Sequence, residues 1–257
     1  MKKASENAET KKEQIKTMLK QLRSKTEVAK IKKHGKVILK NMTPTDLALI
    51  EQEMIKEGIT RTEGRKLCDV HLEVMKDSLG RVNVRVKAGH PIHTLMEEHK
   101  AILDFLDKLN HTVASLKSSR NFKEVDNEVR MLEHIAEHLV EADKHHQREE
   151  EVLFPVMERL GVTEPPEVMR EEHHDLKPRK AELYKIAKKN GKIAYPAFVK
   201  KVSEIAGYLK EELPKHIYKE DNILYPMALK IIPRGEWAEI RKKCDKIGYC
   251  CFTPALR

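Results

Sequence analysis

The chain reads as an all-α protein, an up-down four-helix bundle with a smaller N-terminal helical domain. Three observations predict this class. Charged residues make up 35% of the chain and aromatics 5%, with only 10 glycines and 11 prolines in 257 residues; such a profile suits helices covered in charge. Apolar residues fall at helical spacing, as Ile15, Met18, Leu19 and Leu22 do. A His/Glu motif with helical periodicity occurs twice.

The elements follow in order. Residues 8–34 form one charged helix. Thr43 before Pro44 is a helix start with proline at the first helical position, and that helix runs through Leu47, Leu49, Ile50 and Met54 to Gly58. Thr60 and Glu63 have the spacing of a capping box and open a helix that carries LCDVHLEVM. Residues 81–87, RVNVRVK, alternate like a strand. A lone strand has no partner to pair with, so the stretch is expected to be an extended linker. The first domain therefore spans 1–87.

A bundle over 88–232 follows Gly89-His90-Pro91. Its helices are expected at about 93–116, 122–158, 166–189 and 196–230, with turns at 161–166 and at Asn190-Gly191. Pro155 and Pro226 should each end or kink a helix, and Pro214 is a further kink candidate. Residues 233–257 hold a short helix with Trp237 and a cysteine-containing tail.

The repeated motif carries the chemistry. Residues 145–155 read HHQREEEVLFP and residues 216–226 read HIYKEDNILYP. Each places a His and a Glu four residues apart, on one face of a helix. Glu-Glu-His precedes each copy, at 97–99 and again at 171–173. Folded together, the halves bring His99, His145, Glu149, His173, His216 and Glu220 to one place. Four imidazoles and two bridging carboxylates give each of two metals four protein donors, and an octahedral ion keeps open positions for O2, NO or peroxide. Glu150, Asp221 and Glu172 stand where they can accept the other ring N–H groups. His146 with Glu150 is an alternative register on the second helix.

These motifs resemble the hemerythrin-like, HHE cation-binding four-helix bundle over about 90–232. Within that family the chain looks most like the di-iron proteins linked to repair of iron–sulfur centres under nitrosative and oxidative stress. The resemblance implies two iron ions, oxo- or hydroxo-bridged, on the same six residues, although spacing alone leaves zinc or manganese open. Oxygen-carrying hemerythrins have a further His four positions after the third-helix His; here that position is Lys177. The missing ligand argues against simple oxygen carriage. Their last helix supplies an Asp where this chain offers both Glu220 and Asp221. Residues 1–87, with the join GHPIHTLMEEH, resemble an uncharacterised prokaryotic helical domain that precedes such bundles.

The expected function is thus a non-haem dimetal protein that handles O2, NO or peroxide, with repair of iron centres as one form. A gas, redox or metal sensor without turnover, or a bundle holding zinc or manganese, are the alternatives. The net charge of +9 is concentrated in residues 1–40. It reads as a solvated basic helix, because no nucleic-acid-binding signature accompanies it. No apolar run approaches a membrane span or a signal core, so a cytoplasmic protein is expected. Cys68, Cys244, Cys250 and Cys251 lack zinc-finger spacing and are read as thiols. The roles of His90, His93, His134, His138 and the Cys68/His71 pair stay open, as does any redox partner.

Overall fold

The computed structural model describes residues 13, 44–58, 60, 84, 86–189 and 191–254. Contacts divide the chain into two units, Met1–Asn83 with Val162–Pro165, and Val84–Gly161 with Pro166–Arg257. In the first, α1 spans Pro44–Lys56, buries Ala48 and Met54, and gives way to Gly58 at φ 101°. Glu13 is helical. The rest of the helix expected over 8–34, the helix expected after Thr60, and Cys68 with His71 lie outside the described residues. In the stretch 81–87, Val84, Val86 and Lys87 are described and carry no strand.

The second unit holds four long helical rods. The first is α2, Pro91–Ser118. The second runs through α3 (Asp126–Glu141), α4 (Asp143–Arg148), a π-helical turn at Glu149–Leu153 and α5 (Phe154–Arg159). The third is α6, Glu164–Ala187. The fourth runs through α7 (Tyr195–Lys219), a second π turn at Glu220–Leu224 and α8 (Tyr225–Ile231). A last helix, α9 (Trp237–Ile247), packs against α2, α4 and the first π turn.

Each rod turns one stripe inward at three- and four-residue steps. In α2 it is Leu95, His99, Ile102, Leu106, Leu109, Val113 and Leu116. In α3 it is Val129, Leu132, Ala136 and Leu139, and in α7 it is Phe198, Val202, Ile205, Leu209, Leu213 and His216. One hydrocarbon cluster fills the bundle from Ile102 to Leu116, Val129 to Leu139 and Phe198 to Leu213. Tyr195 closes that end by donating its hydroxyl to the Leu116 carbonyl at 2.7 Å. At the other end, the same stripes carry His and Glu in place of Leu and Ile.

Local signals set the ends. His90 caps α2, its Nδ1 accepting from the Ile92 N–H, with Pro91 at the first helical position. Gly161 follows α5 at φ 90°, a left-handed conformation that favours glycine.

Of the end or kink expected at the prolines, the structure shows no end. Pro155 and Pro226 do not end their rods, which continue to Arg159 and Ile231. Each proline lies just past a π turn, where the Phe154 and Tyr225 N–H groups reach back five residues to the Glu149 and Glu220 carbonyls. The wider turn has already shifted the hydrogen-bond ladder, so a residue without an N–H fits there. Pro178 and Pro214 also sit inside continuous helices. The carbonyls they leave without a donor belong to His174 and Lys210, both exposed residues, so water can serve them.

The core stripe makes a direct prediction. Leu132→Ala, at a fully buried position, should lower unfolding free energy by about 2–5 kcal/mol. Met131→Ala, at a neighbouring position 43% exposed, should stay within about 0.5 kcal/mol. Urea titrations of the two variants followed by circular dichroism would separate them.

Candidate metal centre

The helical spacing of each His/Glu pair places both side chains on the inner face, directly before a π turn. The structure brings together all six residues singled out from the sequence. His99, His145, Glu149, His173, His216 and Glu220 are each at most 2% exposed. His99 Nε2 lies 3.1 Å from His145 Nε2, and His173 Nε2 lies 3.1 Å from His216 Nε2. Glu220 joins the pairs, with Oε2 at 3.0 Å from His99 Nε2 and Oε1 at 3.0 Å from His216 Nε2. Glu149 Oε2 lies 3.5 Å from both His145 Nε2 and His173 Nε2.

A carboxylate holds the outer nitrogen of every one of these rings. Nδ1 of His99 meets Asp221 at 2.8 Å and Nδ1 of His145 meets Glu98 at 2.8 Å. Nδ1 of His173 meets Glu150 at 2.7 Å and Nδ1 of His216 meets Glu172 at 2.9 Å. Such a bond puts the ring proton on Nδ1 and turns the Nε2 lone pair inward. The pattern follows the internal repeat. Within each half, the second Glu of Glu-Glu-His orients the His of His-x-x-x-Glu. Between halves, the acid after the motif Glu orients the other half's first His.

Glu98 is the one orienting carboxylate that the sequence reading did not name, although its repeat partner Glu172 was. Glu98 also receives Arg148 Nη2 on both oxygens, at 2.7 and 2.6 Å, and the Thr253 hydroxyl. Burial alone would raise its pKa; the hydrogen bond and charge of His145, with the Arg148 charge, bring it down to about 2. Lys219 plays the part of Arg148 in the other half, pairing with Glu172. Cys250 lies beside Arg148, Sγ to Nη2 at 3.8 Å, and burial pushes its thiol up to about 12. Cys244, Cys250 and Cys251 are free thiols.

The inner groups are electrostatically frustrated. Burial acts against a proton on His99, yet Asp221 and Glu220 outweigh it and lift the ring to about 10. Burial lowers His145 to about 4, and the charge on His99 adds to that. The facing nitrogens therefore share one proton. Burial, reinforced by the neighbouring Glu220 charge, raises Glu149 well above the carboxylate range. Burial would raise Glu220 too, but the His216 charge and contacts from three imidazoles hold it well below. Two carboxylates in one dry pocket do not both ionise without a cation. Glu149 Oε2 and both Glu220 oxygens have imidazole nitrogens at 3.0–3.5 Å but no hydrogen-bond partner in good geometry.

Tyr225 and Phe154, the aromatics of the two motif copies, cross between halves. Tyr225 stacks on His99 at 5.6 Å and 12°, and Phe154 stacks on His173 at 6.1 Å and 15°. The Tyr225 hydroxyl donates to Glu149 Oε1 at 2.8 Å and stands 3.4 Å from His145 Nε2. Burial, with the Glu149 charge, keeps it a neutral phenol.

The other candidates sort out differently. Glu150 faces outward to His173 Nδ1, which leaves Glu149 as the inward acid of that motif. Lys177 forms an ion pair with Glu150 at 3.2 Å. His90 is a helix cap whose ring packs tilted against Trp237, and His93 lies 3.9 Å from Glu97. His134 and His138 are in ring contact, centroids 4.1 Å apart and tilted by 54°, with His138 Nδ1 bonded to the His134 carbonyl.

The donor set fits a divalent metal pair. Among the described residues, three groups could hold a metal ion, His99/His145/Glu220, Glu149/His173/Glu220 and His146/His173/His216, the ligand atoms of each lying within 4.8 Å of one another. Imidazole with carboxylate suits iron, zinc or manganese.

Residues 90–228 match the hemerythrin HHE cation binding domain, and residues 15–81 match a family of unknown function, DUF438. No curated protein matches the chain. The match to the first covers more than half of the sequence, includes all six inward residues and coincides with the helical bundle that carries them. The chain belongs to the hemerythrin HHE cation-binding domain family, and a metal cofactor, generally iron, goes with that domain.

Proposed function

We propose that this protein is a non-haem di-iron protein that handles O2, NO or peroxide, with repair of iron centres under oxidative or nitrosative stress as its setting. In this reading His99 and His145 hold one iron, His173 and His216 hold the other, and Glu149 and Glu220 span both. One observation carries it: two pairs of inward Nε2 atoms, each pair at 3.1 Å, around carboxylate oxygens with no hydrogen-bond partner in good geometry. When bound, the metal pair would supply electrons and open coordination positions.

The protein's own groups do the rest. Glu98, Asp221, Glu150 and Glu172 fix the rings and raise their basicity. Phe154 on His173 and Tyr225 on His99 cover two of the imidazoles with buried aromatic rings, which limits water. The Tyr225 phenol flanks the His99/His145 side, 3.4 Å from His145 Nε2, and could serve a small ligand there only by leaving its bond to Glu149. No helix among the described residues is long and apolar enough to cross a membrane. The free thiols support a reducing, cytoplasmic setting.

Metal analysis of anaerobically purified protein, with optical spectra before and after O2 and NO, tests the reading. Two irons per chain and new bands on exposure are expected. Zinc, or one metal with no spectral response, would move the protein to a structural or sensing role. Glu149→Ala with Glu220→Ala should remove the metal pair, and full occupancy in that variant would sink the ligand assignment.

Metal uptake should also release protons, because in the metal-free site His99 is lifted to about 10 and Glu149 is raised above the usual carboxylate range. Apparent affinity then falls as pH falls. Calorimetry in two buffers of different ionisation enthalpy would read the released protons directly; identical heats would contradict the proton inventory.

Glu98→Gln should weaken binding by about 10–100-fold through His145. It should also destabilise the metal-free fold by about 3 kcal/mol, since the Arg148 charge loses its counter-ion. Glu97→Gln, next door and outside this network, should do neither. Competition with a chelator and thermal melts of both variants would show the difference.

A further inference from the structure

We infer that the C-terminal segment Tyr249–Thr253 is a strap that positions His145 for its metal, so that fastening of the strap and metal binding at His145 form one coupled equilibrium. The inference rests on the proposed dimetal site. The strap leaves α9 at Gly248, whose φ of 88° favours glycine, and lies beyond the stretch 90–228 that carries the family match. It reaches the one orienting acid that is sealed from water. The Glu98 side chain is 0% exposed, against 26% for Asp221, 27% for Glu150 and 12% for Glu172.

Three side chains of the strap converge on Glu98 and Arg148. The Thr253 hydroxyl donates to Glu98 Oε1. Cys250 Sγ lies 3.8 Å from Arg148 Nη2 and meets the His145 backbone N–H. The Tyr249 ring covers the Arg148 guanidinium at 4.8 Å. Phe252 anchors the segment edge-on to Phe105, ring centroids 5.3 Å apart at 78°, and the Thr253 N–H closes a turn on the Cys250 carbonyl at 3.0 Å. Behind the strap, Arg148 Nη2 spans both Glu98 oxygens, and Glu98 Oε2 holds His145 Nδ1 at 2.8 Å. Strap, Glu98 and His145 thus form one hydrogen-bonded chain that ends at the inward Nε2.

A carboxylate buried this deeply keeps its charge only while its oxygens are matched. With the strap seated, Oε1 takes Thr253 and Arg148, and Oε2 takes Arg148 and His145. Lifting the strap lets water compete for Glu98 and Arg148, which slackens the hold on the His145 ring. The repeat counterpart Glu172 pairs with His216 and Lys219 and is partly open to water. By linkage, a metal on His145 holds the strap down as strongly as the strap holds the metal. Cys250 reports the fastening, since it is buried under the closed strap while its neighbour Cys251 is exposed.

Alkylation of the full chain by N-ethylmaleimide, read by mass spectrometry with and without ferrous iron in the absence of air, follows the strap. Cys251 should label quickly and equally in both states, whereas iron should slow Cys250 by about threefold to tenfold. Thr253→Val should speed Cys250 labelling in the metal-free chain and weaken iron binding by a similar factor. Thr253→Ser, which keeps the hydroxyl, should restore both. A strap that only adds stability would free Cys250 in Thr253→Val and leave the affinity for iron untouched. That result, or equal Cys250 labelling with and without iron, would overturn the inference and leave the dimetal reading intact so long as two irons bind. One iron per chain whose affinity still follows position 253 would sink the dimetal reading and keep the role of the strap. No iron bound would overturn both.

Discussion

The structure depends on one constraint, the facing of imidazole lone pairs across a dry pocket. Each of the four rings gives its Nδ1 proton to a carboxylate, so each Nε2 must look inward. At 3.1 Å, two bare lone pairs repel unless a proton or a cation stands between them. Nothing else in the pocket can relieve this. The carboxylates between the rings are themselves too close to be charged together, and the nearest hydroxyl, on Tyr225, is committed to Glu149. The rest of the bundle holds these groups in an arrangement that they would not choose in water.

Holding them requires stability from elsewhere. The hydrocarbon half of the bundle supplies it, through fully buried residues such as Leu132, Ile135, Leu139, Phe198, Val202 and Leu209. The charges at the polar half are matched one by one as they are buried. Arg148 covers Glu98, Lys219 covers Glu172 and Lys177 covers Glu150. The C-terminal segment completes the first of these pairs with Thr253 and sets Cys250 beside Arg148. Removing one member of such a set strands a charge, so the network is worth more intact than its pairs suggest.

Much of this was legible in the sequence, because the site is written in helical periodicity. His and Glu four apart twice, with Glu-Glu-His before each, fix which faces meet, and three of the four orienting acids follow from their places beside the motif. The remainder was hidden for physical reasons. Glu98 could have been found by applying the repeat to Glu172. Arg148 and Thr253 could not, since they reach Glu98 from 50 and 155 residues away with no periodic signal. Proline suggested an ended or kinked helix at 155 and 226, and the rods do not end there, because a local rule cannot see that a five-residue turn has already displaced the ladder. His146 points about 100° from His145 on a regular helix. Only the packing of the third rod reveals that this direction also faces the site.

The wide turns explain why the repeat extends past its ligands into aliphatic-Leu-aromatic-Pro. A regular helix would carry the residue five after Glu149 away from the inner face; the extra residue of a π turn rotates Phe154 and Tyr225 back toward it. There they stack on the first His of the opposite half, as Glu150 and Asp221 bond to that same His. Each half of the site is therefore finished by the other copy of the motif. Two independent half-sites would tolerate the loss of one copy; this exchange does not. Since Glu149 and Glu220 each lie against imidazoles of both halves, metals held there would be expected to fill and empty together.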